Sequence, residues 1–232
     1  MKFKEKILEG FFLKRYKRFF VDVIVEGNVI TTYCPNTGSL RGMLNEKAKV
    51  LVTKVDNPKA KLKYRLEAIK HNGVFVGINT SLPNGIIYEA IKGKKILNHL
   101  RGEIKKEVKY GKNSRVDIFI DNPKGKNCFI EVKSVTLSRL KGLSEFPDSK
   151  TTRGSKHLIE LGEMSKQGND CYLIYLIQRK DVEIFSIAKD IDEEYYKNSI
   201  IAKNNGVKFI AFSCDVSKKG INLIKQIKIN EN

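Results

Sequence analysis

The stretch SRVDIFIDNPKGKNCFIEVKS, residues 114–134, sets two apolar runs either side of a turn and places Asp117, Glu131 and Lys133 inside them. Side chains alternate across a strand, so Val116, Ile118 and Ile120 take one face and Asp117 and Phe119 the other. Cys128, Ile130 and Val132 match the first set; Phe129, Glu131 and Lys133 match the second. With the turn centred near Lys124, Asp117 falls opposite Glu131 and Phe119 opposite Phe129, and a one-residue slip would reverse every side chain. Like charges facing each other on a sheet repel, and burial beside phenylalanine adds to the cost. A divalent cation relieves both, since two carboxylates and a backbone carbonyl suit hard, oxygen-preferring Mg²⁺ or Mn²⁺. Lys133, two residues along the same face, lies where it orients a water or holds a phosphate oxygen. Cation, water and ammonium are the parts that hydrolysis of a phosphodiester needs. The competing reading is an ion pair on a solvated hairpin, where acid-x-lysine is common.

The flanking elements favour the site. GIIYEAIKGKKILNHL (85–100) reads as a helix with a break at Gly93, and EIKKEVKYG (103–111), RVDIFI (115–120) and CFIEVKSVTL (128–137) as strands,. A second helix runs over 151–168, starting near Thr151 or Thr152. CYLIYLIQ (171–178) is a strand covered on both faces. A third helix over 190–206 and a last strand, VKFIAFSC (207–214), complete the order. This is the αβββαβ core of the PD-(D/E)xK, restriction-endonuclease-like, phosphodiesterase fold. Its motif falls on Asp117, Glu131 and Lys133, with Glu89 as the acid from the preceding helix or, equally, a helix-surface residue paired with lysine. Val116 stands where a proline often precedes the first aspartate; the carboxylate, not the proline, is what a metal needs.

Residues 1–80 read differently, as strands FFVDVIV (19–25), VITTYC (29–34), AKVLVTKVD (48–56), KLKYRLEAIK (61–70) and VFVGINT (74–80), with a hairpin at Glu26-Gly27-Asn28 and a small insert, TGSLRGML,. Five short strands fit a closed OB-like β-barrel, an open meander being the weaker alternative. The breaker cluster NTSLPNG (79–85) marks the boundary between a domain over 1–80 and another over 81–232.

The formal net charge is +18. Such an excess attracts polyanions, nucleic acid first, although most of the cations are lysines and a bias toward lysine inflates the figure. In FLKRYKRFF (12–20), Arg15, Lys17 and Arg18 are candidates to grip phosphates, while Phe19 and Phe20 read as barrel core. The segment joining the third strand to the second helix, basic at Arg139 and Lys141, reads as a mobile flap. Arg153, Lys156 and His157 sit in the first turn of that helix beside free N–H groups, an anion site. Gln178 and Arg179, closing the buried strand, and Arg115 are weaker candidates for substrate contact. Cys34, Cys128, Cys171 and Cys214 form no CxxC pair, so reduced, partly buried thiols are expected. No signal peptide or membrane span is visible, which places the protein in the cytoplasm without a membrane partner. Oligomeric state stays open, a homodimer included.

YCPNTGS (33–39), VGINT (76–80), YGKNSRVDI (110–118), IEVKSVTL (130–137) and FPDSKTTRGSKHLIEL (146–161) together resemble the sugar fermentation stimulation protein A family, over most of the chain. The resemblance implies an N-terminal OB-like domain, a C-terminal nuclease-like domain, and DNA binding without strong sequence preference. It also implies a regulatory role in sugar metabolism. It does not guarantee hydrolysis, so a regulator that cleaves nothing remains an alternative, as does an RNA-binding or RNA-processing protein.

Overall fold

Alternation in Phe20–Val25 builds the first hairpin. Val21, Val23 and Val25 are buried, the residues between them half-buried, and Glu26 and Gly27, both at positive φ, return the chain in two residues,. The computed structural model describes residues 1–40, 42–111 and 114–230. Strand β1 (Ile7–Tyr16) pairs with β2 (Phe20–Val25), and β2 with β3 (Asn28–Tyr33). On its other side β1 pairs with β4 (Lys49–Lys54), β4 with β5 (Tyr64–His71), and β5 meets β3 at Arg65 and Tyr33. The ring is a closed five-stranded OB barrel.

Its membership differs from the sequence expectation in one strand. Ile7–Tyr16 belongs to the ring, and β6 (Val74–Gly77) lies outside it, pairing with β5 alone among barrel strands. The first strand hides its pattern because its buried positions are Gly10 and Phe12, and a glycine carries no hydrophobic signal. That glycine is required by close approach: a Cβ there would meet the Ile24 carbonyl oxygen at 2.4 Å,. Phe19 and Phe20 are not core residues. They are half-buried and stack on Tyr33 and Tyr16, with ring centroids 6.1 and 5.6 Å apart.

The second half is an α/β/α sandwich. Helix α1 (Pro83–Lys92) precedes β7 (Glu103–Tyr110), β8 (Ser114–Asp121) and β9 (Cys128–Val135). These three strands are antiparallel neighbours, and β9 continues in parallel to β11 (Asp170–Ile177) and β13 (Lys208–Ser217). In β11, Tyr172, Ile174 and Leu176 pack with α1, whereas Leu173, Tyr175 and Ile177 pack with α2 (Thr152–Lys166) and α3 (Glu193–Asn204). This two-sided burial is what its apolar run requires. The first helix ends at the expected break, Gly93, and does not resume toward residue 100, with Gly93 N–H bonded to Glu89 O and Lys94 at φ 54°. The expected flap is built in: β10 (Gly142–Phe146) runs parallel to β12 (Val182–Ile187), and Leu137 bridges Glu145. Strand β14 (Gly220–Ile229), also unforeseen, closes against β13 and β12. All four cysteines are free and buried. Among the described residues, no helix is long and apolar enough to cross a membrane.

Strand β6 also joins the halves. Phe75 pairs with Val216 of β13, and Gly77 N–H donates to Gln178 O at 2.9 Å. Leu51 and Ala68, on barrel strands, share one buried cluster with Ile87, Ile130 and Phe212. Gln178 and Arg179, expected as a substrate contact, are interior parts of this seam. Gln178 donates to Ser134 Oγ, and Arg179, only 1% exposed, forks onto Asp181, donates to the Thr136 carbonyl and lies 3.4 Å from His71 Nδ1. Removing a buried cation strands its partners, so Arg179→Leu will lower unfolding free energy by about 3 kcal/mol. A urea titration with unchanged slope and a lower midpoint is the expected readout.

Candidate functional site

The β8–β9 ladder stops at Ile118 and Ile130. One residue further, in the expected register, Asp117 and Glu131 come next, and the strands part there. The Val132 N–H, pointing toward β8, donates to Asp117 Oδ2 at 2.7 Å, while Asp117 Oδ1 accepts from Asn84 Nδ2 at 2.6 Å. Burial, and then the charge on Glu131, push the Asp117 carboxyl up to about 7,. Glu131 is 2% exposed. Its burial favours the neutral acid, but Lys133 and His157 outweigh that and hold it below the usual carboxylate range.

Lys133 Nζ donates to Glu131 Oε1 at 2.9 Å, and His157 Nδ1 contacts the same oxygen. Arg153 Nε donates toward His157 Nε2 at 3.4 Å. With Nε2 accepting, Nδ1 carries the proton and points it at Glu131. Cation, imidazole and carboxylate thus form one chain from α2 to β9. Helix α2 can present it because Thr151 Oγ1 caps the helix by accepting from Gly154 N–H at 3.1 Å,, and because Leu158 and Leu161 anchor its other stripe.

Asp117, Glu131 and Lys133 line one cavity of about 380 Å³, together with Asn84, Lys150, Arg153 and His157. The residues fit a hard cation in kind. Glu131 Oε2 is buried and has no hydrogen-bond partner among the described residues, and Asp117 is uncomfortable when ionised beside it. They do not make a complete protein cage: no cluster of three or more His, Cys, Asp or Glu side chains suited to a metal occurs among the described residues. A Mg²⁺-like ion keeps several waters and takes substrate oxygens as ligands, so one or two carboxylates suffice.

The other sequence candidates divide sharply. Glu89 is not brought to the pair. Its side chain is 58% exposed and lies 3.7 Å from the amino group of Met1; the α1 residue that reaches Asp117 is Asn84. Arg15 is not a free phosphate contact, since it donates to the carbonyls of Asn36, Gly38 and Ser39 and so fixes the loop that walls the cavity. Arg139 is not a free cation either; it is forked onto Glu145 and Asp190. Lys17 and Arg18 are exposed at the β1–β2 turn, both at positive φ. Arg115 is exposed on the Asp117 face of β8, and Lys156 is 3.8 Å from Glu160. His157 does meet Glu131, and Arg153 reaches His157. Asn84 escaped notice because its tripeptide, Pro-Asn-Gly, reads as a turn, and its partner is 33 residues away.

Family models match nearly the whole chain: the "Sugar fermentation stimulation protein RE domain" over residues 81–220 and the "SfsA N-terminal OB domain" over residues 13–78. This chain belongs to the sugar fermentation stimulation protein (SfsA) family. Relatives named sugar fermentation stimulation protein homolog include one from Pelagibacter ubique, 46% identical over 99% of both chains. Another, from Rhizobium meliloti, is 40% identical over 100% of this chain and 98% of its own. The SfsA architecture also recurs in the solved structure of Pyrococcus furiosus SfsA in complex with Ca²⁺. That structure has a TM-score of 0.86 at 25% identity and covers 99% of each chain.

Proposed function

We propose that this SfsA protein is a DNA-binding, metal-dependent phosphodiesterase. The observation that carries the reading is the pairing of half-buried Asp117 with buried Glu131, which has an orphaned carboxylate oxygen, at a cavity that Lys133 also lines. Asp117 and Glu131 are the residues that would hold Mg²⁺ or Mn²⁺. The bound ion supplies Lewis acidity and neutralises charge on the phosphate. Lys133, anchored on Glu131, orients the attacking water or stabilises the charge growing on the phosphoryl oxygens. The imidazole of His157 and the guanidinium of Arg153 fix the Glu131 rotamer, and Asn84 fixes that of Asp117. That a Pyrococcus furiosus relative was solved with Ca²⁺, another oxygen-seeking cation, is in keeping with this assignment. A cleavage assay on DNA with Mg²⁺ or Mn²⁺ tests it; product that persists unchanged in Glu131→Gln protein would sink the reading.

The absence, among the described residues, of a third converging ligand side chain favours a second reading, a DNA-binding regulator that keeps the fold and cuts nothing. Both readings require polymer binding driven by the +18 surface. Affinity for duplex DNA should therefore fall with salt at a log–log slope of about −0.9 per phosphate neutralised. The double variant Lys17→Ala, Arg18→Ala should flatten that slope by up to about 2. Arg15→Ala should leave the slope nearly unaltered while destabilising the cavity wall. Anisotropy titrations over a series of salt concentrations measure both.

A further inference from the structure

The cavity is not a feature of the C-terminal domain alone. Asn36, Thr37, Gly38 and Thr80 from the barrel half line it together with Glu131, Val132 and Lys133. This barrel wall is fastened twice. Within the barrel, Arg15 holds three of its carbonyls, Asn36 Nδ2 donates to Ile78 O at 3.1 Å, and Gly38 N–H donates to Asn36 Oδ1 at 2.7 Å. Across the seam, Ser39 Oγ donates to Asp148 O at 3.2 Å and Leu40 N–H lies 3.4 Å from Asp148 Oδ2. Gly38 is pressed so closely against Asp148 that a Cβ would fall 2.3 Å from its carboxylate. Ser149, Lys150 and Thr151 line the same cleft.

A phosphate must reach ion-coordinating distance of Asp117 and Glu131, and therefore must come between these walls. About 380 Å³ lies at the low end for pockets that enclose one small ligand, roughly 300–1,000 Å³,. It has room for about one nucleotide unit, so of a stacked, paired duplex only one strand can enter and the second must stay outside the walls. Lys133, Lys150 and Arg153 supply cations for the strand's phosphates, and Thr37 and Thr136 line the cavity beside them. We infer that the substrate is single-stranded DNA, free or as an unpaired flap or overhang, and that the barrel wall is the element that excludes the duplex. This rests on the phosphodiesterase reading above.

The test uses the full chain, one labelled strand presented alone, in a blunt duplex and as a duplex overhang, and a covalently closed relaxed circle. With Mn²⁺ the single strand and the overhang should be cut at least about tenfold faster than the blunt duplex or the circle, because unstacking a paired nucleotide opposes entry. Binding is measured in parallel with Ca²⁺ and enough salt to screen the exposed lysines. There the single strand should bind at least about tenfold tighter than the blunt duplex. Gly38→Val, which forces the wall away from Asp148, and Asp148→Ala, which unfastens it, should each shrink the single-to-double ratio. Equal cutting of strand and circle overturns the inference and leaves the hydrolytic reading standing. No cutting of any substrate, with the single strand still bound preferentially, overturns hydrolysis and leaves only the barrel wall's selection for one strand standing. Faster cutting of matched single-stranded RNA overturns the assignment to DNA.

Discussion

On the phosphodiesterase reading, Glu131→Gln and Lys133→Ala will each reduce Mg²⁺-dependent cleavage by about 10²–10⁴-fold. The two losses have different origins. Gln removes the negative charge from the oxygen left without a partner and from the oxygen shared by Lys133 and His157, so ion affinity and catalysis fall together. Ala leaves both carboxylates in place and takes away the ammonium. It should therefore bind the ion at least as well as the unaltered protein, since Lys133 competes for Glu131, yet fail at the chemical step. Isothermal titration with Mn²⁺ beside a single-turnover cleavage assay separates the two. Equal loss of ion binding in both variants would mean that Lys133 is only a structural counter-charge.

Without divalent ions, the protein will lose stability as pH rises from about 5 to 8, and Asp117→Asn will remove much of that loss. The folded-state Asp117 is pushed from 3.8 up to about 7. The folded protein thus retains a proton that the unfolded chain has released, and stability present below about pH 4 drains away as pH climbs through 7. By pH 8 the penalty reaches up to about 4 kcal/mol. Glu131 acts in the opposite sense but in another window. Held below its ordinary 4.5, it contributes stability that is lost only as pH falls through the acid range. Asn can still accept from Val132 N–H, and Asn84 can turn its amide to meet the new NH₂ group. Ion binding at one hundred times Kd should restore about 2.7 kcal/mol at pH 8, or roughly 5–10 °C in Tm. In Asp117→Asn that rise should nearly vanish. Thermal unfolding in EDTA and in Mn²⁺ across the pH range measures both, and identical pH profiles for the two proteins would refute the account.

The hairpin at the centre of the site was readable because apolar matching leaves one register for two runs as clear as VDIFID and CFIEVKS, and the Phe119–Phe129 pairing follows it. Strand β11 was readable from an unbroken apolar run that only a sandwich can cover. What escaped reading depends on distance in sequence. Glu89 has the charge of a ligand but points to Met1, whereas Asn84, with no charge, reaches Asp117. Arg15, Arg139 and Arg179 contribute to a basic composition, yet each is enclosed by carbonyls or carboxylates contributed by other segments. A residue's type states what it can bind, and only the folded chain states what it has already bound. The strands β10, β12 and β14 were missed for a related reason. They are short or half-exposed, and each is held by partners that no local pattern announces.

Strand β6 makes the two halves a poor pair of separable modules. Cutting the gene after Gly77 would leave the barrel with the free side of a strand and with Leu51 and Ala68 uncovered. The remaining piece would expose the flank of β13 around Val216, an invitation to self-association. It would also lack one wall of the cavity that Asp117 and Glu131 line. Fragments of this protein should therefore be sticky and inert, and swapping barrels between relatives should succeed only when the grafted piece brings its own matching seam.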